Sequence, residues 1–213
     1  MVITWYGQSC FKIQSGNLTV AVDPFSKETG ATAPRFKSDI VIVSHGHSHL
    51  QKDSIPENPI VIKGPGEYEA QGVLIHGIQT YHDDAQGKEL GLNTAYSIGI
   101  EDMNVVHLGD FGESTVRPEV LEALGTVDIL LIPVGGHPTI DAKTAKKIIE
   151  QIEPRVVIPM NYKTSGMKGS LDTVDTFLKE MGAKNQEAED RFTIKKKDLP
   201  QAEETKVIVL KAE

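Results

Sequence analysis

A chain of 213 residues, 39% hydrophobic and 24% charged, carries enough apolar material for one buried core and is not a disordered polymer. Its formal charge, 22 − 30 = −8, argues against binding nucleic acid through phosphate contacts, and its single cysteine, Cys10, excludes an internal disulfide scaffold. Seven histidines beside that one cysteine make imidazole the soft ligand on offer if a metal is bound.

The first hundred residues read as short strands separated by turns. Val2–Tyr6 and Cys10–Gln14 have strand composition, and Ser15-Gly16-Asn17 makes a hairpin connection to Leu18–Val22. Ile40–Ser44 is an unbroken β-branched run, suited to a strand covered on both faces. Ile60–Lys63, Val73–Tyr81, Thr94–Ile100 and Asn104–Leu108 follow, with Gly64-Pro65-Gly66 and Glu101-Asp102 as breakers. A weak helical pattern runs from Pro118 to Leu124, then Ile129–Pro133 returns to strand.

The period then lengthens. Ala142, Ala145, Ile148, Ile149 and Ile152 recur at three- and four-residue spacing, which predicts an amphipathic helix over Asp141–Ile152. After the strand Arg155–Pro159, the series Leu171, Val174, Leu178 and Met181 predicts another helix, stopped at Gly182. Thr205–Leu210 closes the chain as a strand. No linker or internal repeat interrupts this order, so residues 1–213 read as one α/β domain with helices outside two sheets. The start Met1-Val2-Ile3-Thr4-Trp5 lacks the pattern of a signal peptide, and no apolar run approaches the roughly 20 residues of a spanning helix. A cytoplasmic protein without a membrane partner is expected. Lys195-Lys196-Lys197, followed by Asp198, reads as a solvated turn rather than a nucleic-acid patch.

The strongest chemical signal is Ser44-His45-Gly46-His47-Ser48-His49, directly after an apolar strand. Histidines at alternate positions of an extended segment can turn two imidazoles toward one point, as a metal requires. Tyr81-His82-Asp83 and His107-Leu108-Gly109-Asp110 also stand at strand ends. Each alone is weak. Together they offer imidazoles and a carboxylate from three strands. Asp23, before Pro24, reads as a turn residue, His76 as structural or exposed, and Cys10 as buried rather than reactive.

With these motifs, and with Tyr6-Gly7-Gln8-Ser9-Cys10-Phe11, Asp23-Pro24-Phe25, Ile132-Pro133-Val134-Gly135-Gly136 and Ile158-Pro159-Met160-Asn161-Tyr162, nearly the whole chain resembles the metallo-β-lactamase-fold hydrolases. It is most similar to a branch of small bacterial and archaeal metal-dependent hydrolases that includes the L-ascorbate-6-phosphate lactonase. The resemblance implies a four-layer αββα sandwich with a metal site at one edge of the sheets. It implies His45, His47 and His82 as metal ligands with Asp110 as the bridging carboxylate, and catalytic work for Asp110 and His82. Three imidazoles and a carboxylate suit Zn²⁺, with Mn²⁺ as the other candidate.

The departures are specific. The family motif runs His-x-His-x-Asp-His, and here His49 stands in the Asp place and Leu50 in the final His place. The family's closing His before Tyr is Asn161. In the two-metal form of the fold these three positions hold the second metal, so one ion is expected. His49 and Asn161 remain candidates for second-site or substrate contacts, as do His137 in its Gly-Gly-His-Pro loop and Gln8, which stands where many relatives carry His. The expected activity is hydrolysis of a small-molecule ester, lactone or phosphoester by a metal-activated water. The alternative is a non-catalytic relative that binds a ligand or partner.

Overall fold

The computed structural model describes residues 1–25, 33–46, 59–164, 170–183, 186–201 and 203–213. Two mixed sheets dominate. The first runs β12-β1-β2-β3-β4-β5, formed by β1 (Val2–Trp5), β2 (Phe11–Ser15), β3 (Leu18–Val22), β4 (Ile40–Val43), β5 (Ile60–Lys63) and the two-residue β12 (Phe192–Thr193). The second runs β13-β11-β10-β9-β8-β7-β6, formed by β6 (Gly66–Ala70), β7 (Val73–Tyr81), β8 (Leu92–Ile100), β9 (Met103–His107), β10 (Ile129–Pro133), β11 (Val156–Met160) and β13 (Lys206–Val207). In the first sheet β3, β4 and β5 are parallel; in the second β9, β10, β11 and β13 are parallel, while β6 to β9 form an antiparallel meander.

Burial follows the sequence pattern. β4, β10 and β11, the unbroken apolar runs, are buried at every position. Trp5, Ile13, Val22 and Ile42 of the first sheet join Ile75, Tyr96, Ile98 and Leu131 of the second in one apolar core. Each such side chain, fully withdrawn from water, contributes about 1.5–3 kcal/mol before entropy is counted. A second cluster, Ala21, Val41 and Val43 against Phe36, lies apart from that core.

Among the described residues three α-helices follow parallel strands of the second sheet, α1 (Pro118–Leu124) after β9, α2 (Ala142–Ile152) after β10 and α3 (Val174–Glu180) after β11. Right-handed β–α–β crossovers place such helices on one face of a sheet, and α2 packs on α3. The apolar stripe of α2 is buried as its spacing requires, and Asp141 caps it by accepting from the Thr144 N–H at 2.8 Å. α3 starts at Val174, later than the pattern from Leu171 suggests, because the Asp172 N–H is taken by the Gly135 carbonyl. Gly182 follows α3 with φ +68°, the left-handed stop its residue type allows.

Two strands, β6 and β12, are not legible in the sequence. β6 alternates Glu67 and Glu69 with Tyr68 and Ala70 right after a Gly-Pro-Gly breaker, and it is an edge strand, where charges guard the open side. β12 is only two residues long, and β13 is a two-residue remnant of the longer strand expected over Thr205–Leu210. Lys195-Lys196-Lys197 is exposed and lies on a single 3₁₀ turn, Lys196–Asp198. Among the described residues no helix is long and apolar enough to cross a membrane.

The two sheets are tied together at one edge. The Tyr96 hydroxyl, from β8, accepts from the Gly64 N–H at 2.8 Å and donates to the Val43 carbonyl at 3.0 Å, and burial pushes its pKa up. Thr94 N–H donates to the Ser44 carbonyl at 2.8 Å, and His45 and Asn93 form an isolated antiparallel bridge. At this edge the carboxyl ends of β3, β4, β7, β9 and β11 meet.

Candidate functional site

Each candidate side chain follows the last residue of a strand. A strand end frees the backbone from its ladder while the core still holds it in place. His45 follows β4 and Ser44, His82 follows β7, Asp110 lies three residues beyond β9, and Asn161 follows β11.

These ends converge on Asp110. Its Oδ2 lies 3.2 Å from His82 Nε2 and 3.5 Å from His45 Nε2, and its Oδ1 accepts from the Asn161 carboxamide at 2.7 Å. The two imidazole rings stand edge to face, 5.9 Å apart at 89°. Burial opposes ionisation of Asp110, but the His82 hydrogen bond, the two imidazoles and the Asn161 amide outweigh it and hold the carboxyl below its usual range. Burial likewise opposes charge on His82, and Asp110 more than offsets it, so the imidazole titrates higher than usual.

The tautomer of His45 follows from donor counting. Ser44 Oγ donates its one hydrogen to Asp23 Oδ2 at 2.5 Å, and Asp23 Oδ1 accepts the Ser44 N–H at 2.7 Å. Ser44 Oγ also lies 2.8 Å from His45 Nδ1 and has only lone pairs left for it. Nδ1 therefore carries the proton, and in the neutral ring the lone pair of Nε2 faces Asp110. Asp23, expected only as a turn residue, is buried at φ +46° and supports the imidazole through Ser44.

Gly109 makes the close approach possible. It sits at φ +62°, and a Cβ there would run into Asn93 Oδ1 and Ser44 Oγ. His107 serves the same turn from beneath. The Gly109 N–H donates to its Nδ1 at 3.0 Å, so Nε2 carries the proton and donates to the Ser9 carbonyl at 2.8 Å. Burial lowers the His107 pKa, which keeps the ring neutral.

Other residues singled out in the sequence lie further out. Gln8 enters through its main chain, whose carbonyl accepts from the Asn161 N–H at 3.1 Å and from Trp5 Nε1 at 2.9 Å. His137 is exposed, and His76 lies half-buried on β7. Cys10 is fully buried, which pushes its thiol pKa up and leaves it unreactive. Asn93 is the participant that sequence reasoning misses. Its only mark in the sequence is an amide side chain at the start of a strand, where such residues are depleted.

The separations of 3.2 and 3.5 Å about Asp110 Oδ2 are close to the ligand–ligand edge, about 3.3–3.4 Å, of a tetrahedron with zinc-like bonds of about 2.0–2.1 Å. Two imidazole nitrogens and a carboxylate oxygen fit a divalent ion of the zinc type in donor chemistry, as three members of a four-member shell. Among the described residues no group of three or more His, Cys, Asp or Glu side chains is placed to hold a metal ion by itself. His47, the remaining imidazole implied by the family motif, lies outside the described residues, as do His49 and Leu50.

Comparison with known proteins shows the family. Residues 2–161 match the model of the beta-lactamase superfamily domain. A UPF0173 metal-dependent hydrolase of Thermoplasma volcanium is 30% identical over 194 residues, covering 76% of this chain and 83% of that protein. A UPF0173 protein of Pyrococcus abyssi is 29% identical over 189 residues, covering 78% and 85%. The crystal structure of a metallo-β-lactamase superfamily protein from Thermotoga maritima superposes with a TM-score of 0.80 at 33% identity over 99% of each chain. With two mixed sheets, helices on the parallel half and the convergent strand ends at one edge, the chain belongs to the metallo-β-lactamase superfamily.

Proposed function

We propose that this chain is a metal-dependent hydrolase working with one divalent ion, zinc before manganese, held by His45, His47, His82 and Asp110. The relatives from Thermoplasma volcanium and Thermococcus onnurineus bear the name metal-dependent hydrolase, and the Thermotoga maritima protein is described as a candidate zinc-dependent hydrolase. The observation that carries the single-ion reading is the Asn161–Asp110 hydrogen bond at 2.7 Å. In the place of the family's closing histidine, a carboxamide donates to the one oxygen of Asp110 that the imidazoles leave free. A donor N–H there holds that oxygen, and the carboxamide oxygen that remains is a poor ligand for a second zinc beside imidazole.

When bound, the ion supplies Lewis-acid polarisation of a carbonyl or phosphoryl oxygen and acidifies water. The protein's own part is positional. Asp23 and Ser44 hold His45 with Nε2 inward, and Asp110, ionised at neutral pH, accepts hydrogen bonds and orients the nucleophilic water rather than removing its proton. His82 faces the same Oδ2 of Asp110 that His45 faces. The substrates that suit this machinery are small esters, lactones or phosphoesters. Without a second cation on the leaving group, activated esters and lactones should turn over fastest.

The test is metal content followed by turnover. The purified protein is expected to hold one equivalent of zinc and to hydrolyse members of a lactone, thioester and phosphodiester panel, with both lost in a His45→Ala, His47→Ala double variant. Two equivalents of metal overturn the single-ion reading. One equivalent with no turnover favours the second reading, a binding protein, which the same Asn161 contact supports because it removes the second ion's position.

A further inference from the structure

One buried side chain stands between two of the proposed ligands, His45 and Asp110. Asn93 is 1% exposed at the start of β8. Its main chain forms the antiparallel bridge to His45, and the next residue, Thr94, donates its N–H to the Ser44 carbonyl at 2.8 Å. Its side chain reaches the other way. Nδ2 donates to the Leu108 carbonyl at 2.7 Å and to Thr80 Oγ1 at 2.7 Å, and Oδ1 accepts the Asp110 N–H at 3.0 Å.

That carboxamide therefore uses both of its donors and accepts at least one hydrogen bond. The turn it holds has no strand of its own. Beyond the Leu108 N–H, which reaches the Leu131 carbonyl, the Leu108 carbonyl and the Asp110 N–H are held by Asn93 and the Gly109 N–H by His107. The Gly109 Cα faces Asn93 Oδ1 too closely for any larger residue. Only a short, planar group with donor and acceptor side by side can grip a carbonyl and an N–H two residues apart in that space.

We propose that Asn93 is the positioning residue of the metal centre: its main chain places His45, its carboxamide places Asp110, and it thereby sets the distance between them. This rests on the proposed metal site and goes beyond it, since no ligand role is involved. Removing the side chain leaves the Leu108 carbonyl and the Asp110 N–H without their partners, so the turn carrying Asp110 relaxes away from His45. Altering such a supporting group typically weakens metal binding about 10- to 100-fold.

The experiment compares wild type, Asn93→Ala, Asn93→Asp and Ser97→Ala. Zinc affinity is measured by competition with a chromophoric chelator, the Co²⁺-loaded visible spectrum is recorded, and stability is followed by urea unfolding. Asn93→Ala is expected to bind zinc at least about ten-fold more weakly and to lose tetrahedral cobalt intensity. Ser97→Ala removes the Ser97–Asn104 hydrogen bond, which involves neither Asn93 nor Asp110, and should lower stability while leaving affinity and spectrum unchanged. If Asn93→Ala fails to fold, Asn93→Asp is read in its place, because it keeps the acceptor for the Asp110 N–H but cannot donate to the Leu108 carbonyl. Wild-type affinity and spectrum in the folded Asn93 variant overturn the proposal. Should wild type bind no zinc, the metal reading fails and the positioning role is read from metal-free crystal structures. A wider His45–Asp110 separation in the variant then supports it, and an unchanged separation overturns it.

Discussion

The carboxamide nitrogen of Asn161 lies 2.7 Å from Oδ1 of Asp110 and donates to it, with the Asn161 backbone at φ +53° and its own N–H on the Gln8 carbonyl. Asparagine tolerates that left-handed backbone better than most residues. The contact turns a position that offers a metal ligand in the two-metal form of the fold into one that restrains a carboxylate. On the proposed single-ion reading, this contact acts together with the replacements at His49 and Leu50 to set the number of ions.

The coupling can be reversed. Histidine is also enriched among left-handed non-glycine residues, so Asn161→His can be accommodated at this backbone. Combining it with His49→Asp and Leu50→His rebuilds the family's full ligand pattern. The triple variant is expected to hold two equivalents of zinc by elemental analysis against one in the wild type, and to gain phosphodiester turnover most. One equivalent in a folded triple variant would show that the replaced side chains do not determine the stoichiometry.

The His82–Asp110 pair predicts how stability of the metal-free protein depends on pH. His82 is raised, so its contribution is complete below the ordinary imidazole value and lost as pH climbs through the folded one. Asp110 is lowered, so its contribution is complete above the ordinary carboxyl value and lost as pH falls through the folded one. Both are fully present between about pH 4 and 6.5. The difference in urea midpoint between wild type and His82→Gln should be greatest in that window and shrink on either side. A difference that grows steadily toward alkaline pH would contradict the assignment. Zinc, which needs neutral imidazole, should bind more weakly as the pH drops through this same range.

Gly109→Ala places a side chain at φ +62° where Asn93 Oδ1 and Ser44 Oγ already lie. The left-handed backbone and the overpacking together should destabilise the protein by about 2–4 kcal/mol. Chemical unfolding measures the loss, and metal content should fall with it, because the turn that moves carries Asp110.

Asp83, next to His82, accepts N–H groups from Ala85, Gly87, Glu89 and Leu90 at 2.7–3.1 Å. These amides, the Leu90 one foremost, hold its carboxyl below the usual range. The order it imposes on residues 84–90 is therefore present above the ordinary carboxyl pKa and lost as pH falls through the lower folded value. Asp83→Ala should raise hydrogen exchange across that loop at neutral pH while leaving exchange in β7 unchanged. Equal protection in both proteins would mean the backbone alone holds the loop.

How much of this is legible in the sequence varies residue by residue. Ile40–Val43, Ile129–Pro133 and Val156–Met160 announce themselves because strands buried on both faces contain nothing polar. The α2 stripe does so because burial on one side imposes a 3.6-residue period. β6 hides because an edge strand pairs on one side only and tolerates Glu67 and Glu69, while two-residue pairings such as β12 have no pattern to show. His45, His82, Asp110 and Asn161 are visible through the order of their motifs. Asn93 and the Asp23–Ser44 support are not, since each acts through a partner 17 or 21 residues away.

The sequence by itself determined the fold class and the strand ends that carry imidazole and carboxylate, because these depend on local pattern and residue type. Only the tertiary structure decided that Asn161 grips Asp110, that Ser44 hands Asp23's support to His45, and that Asn93 spans from one to the other. Hydrogen bonds have directions as well as partners. Their directions exist only once two sheets have closed on each other and brought distant strand ends within bonding reach.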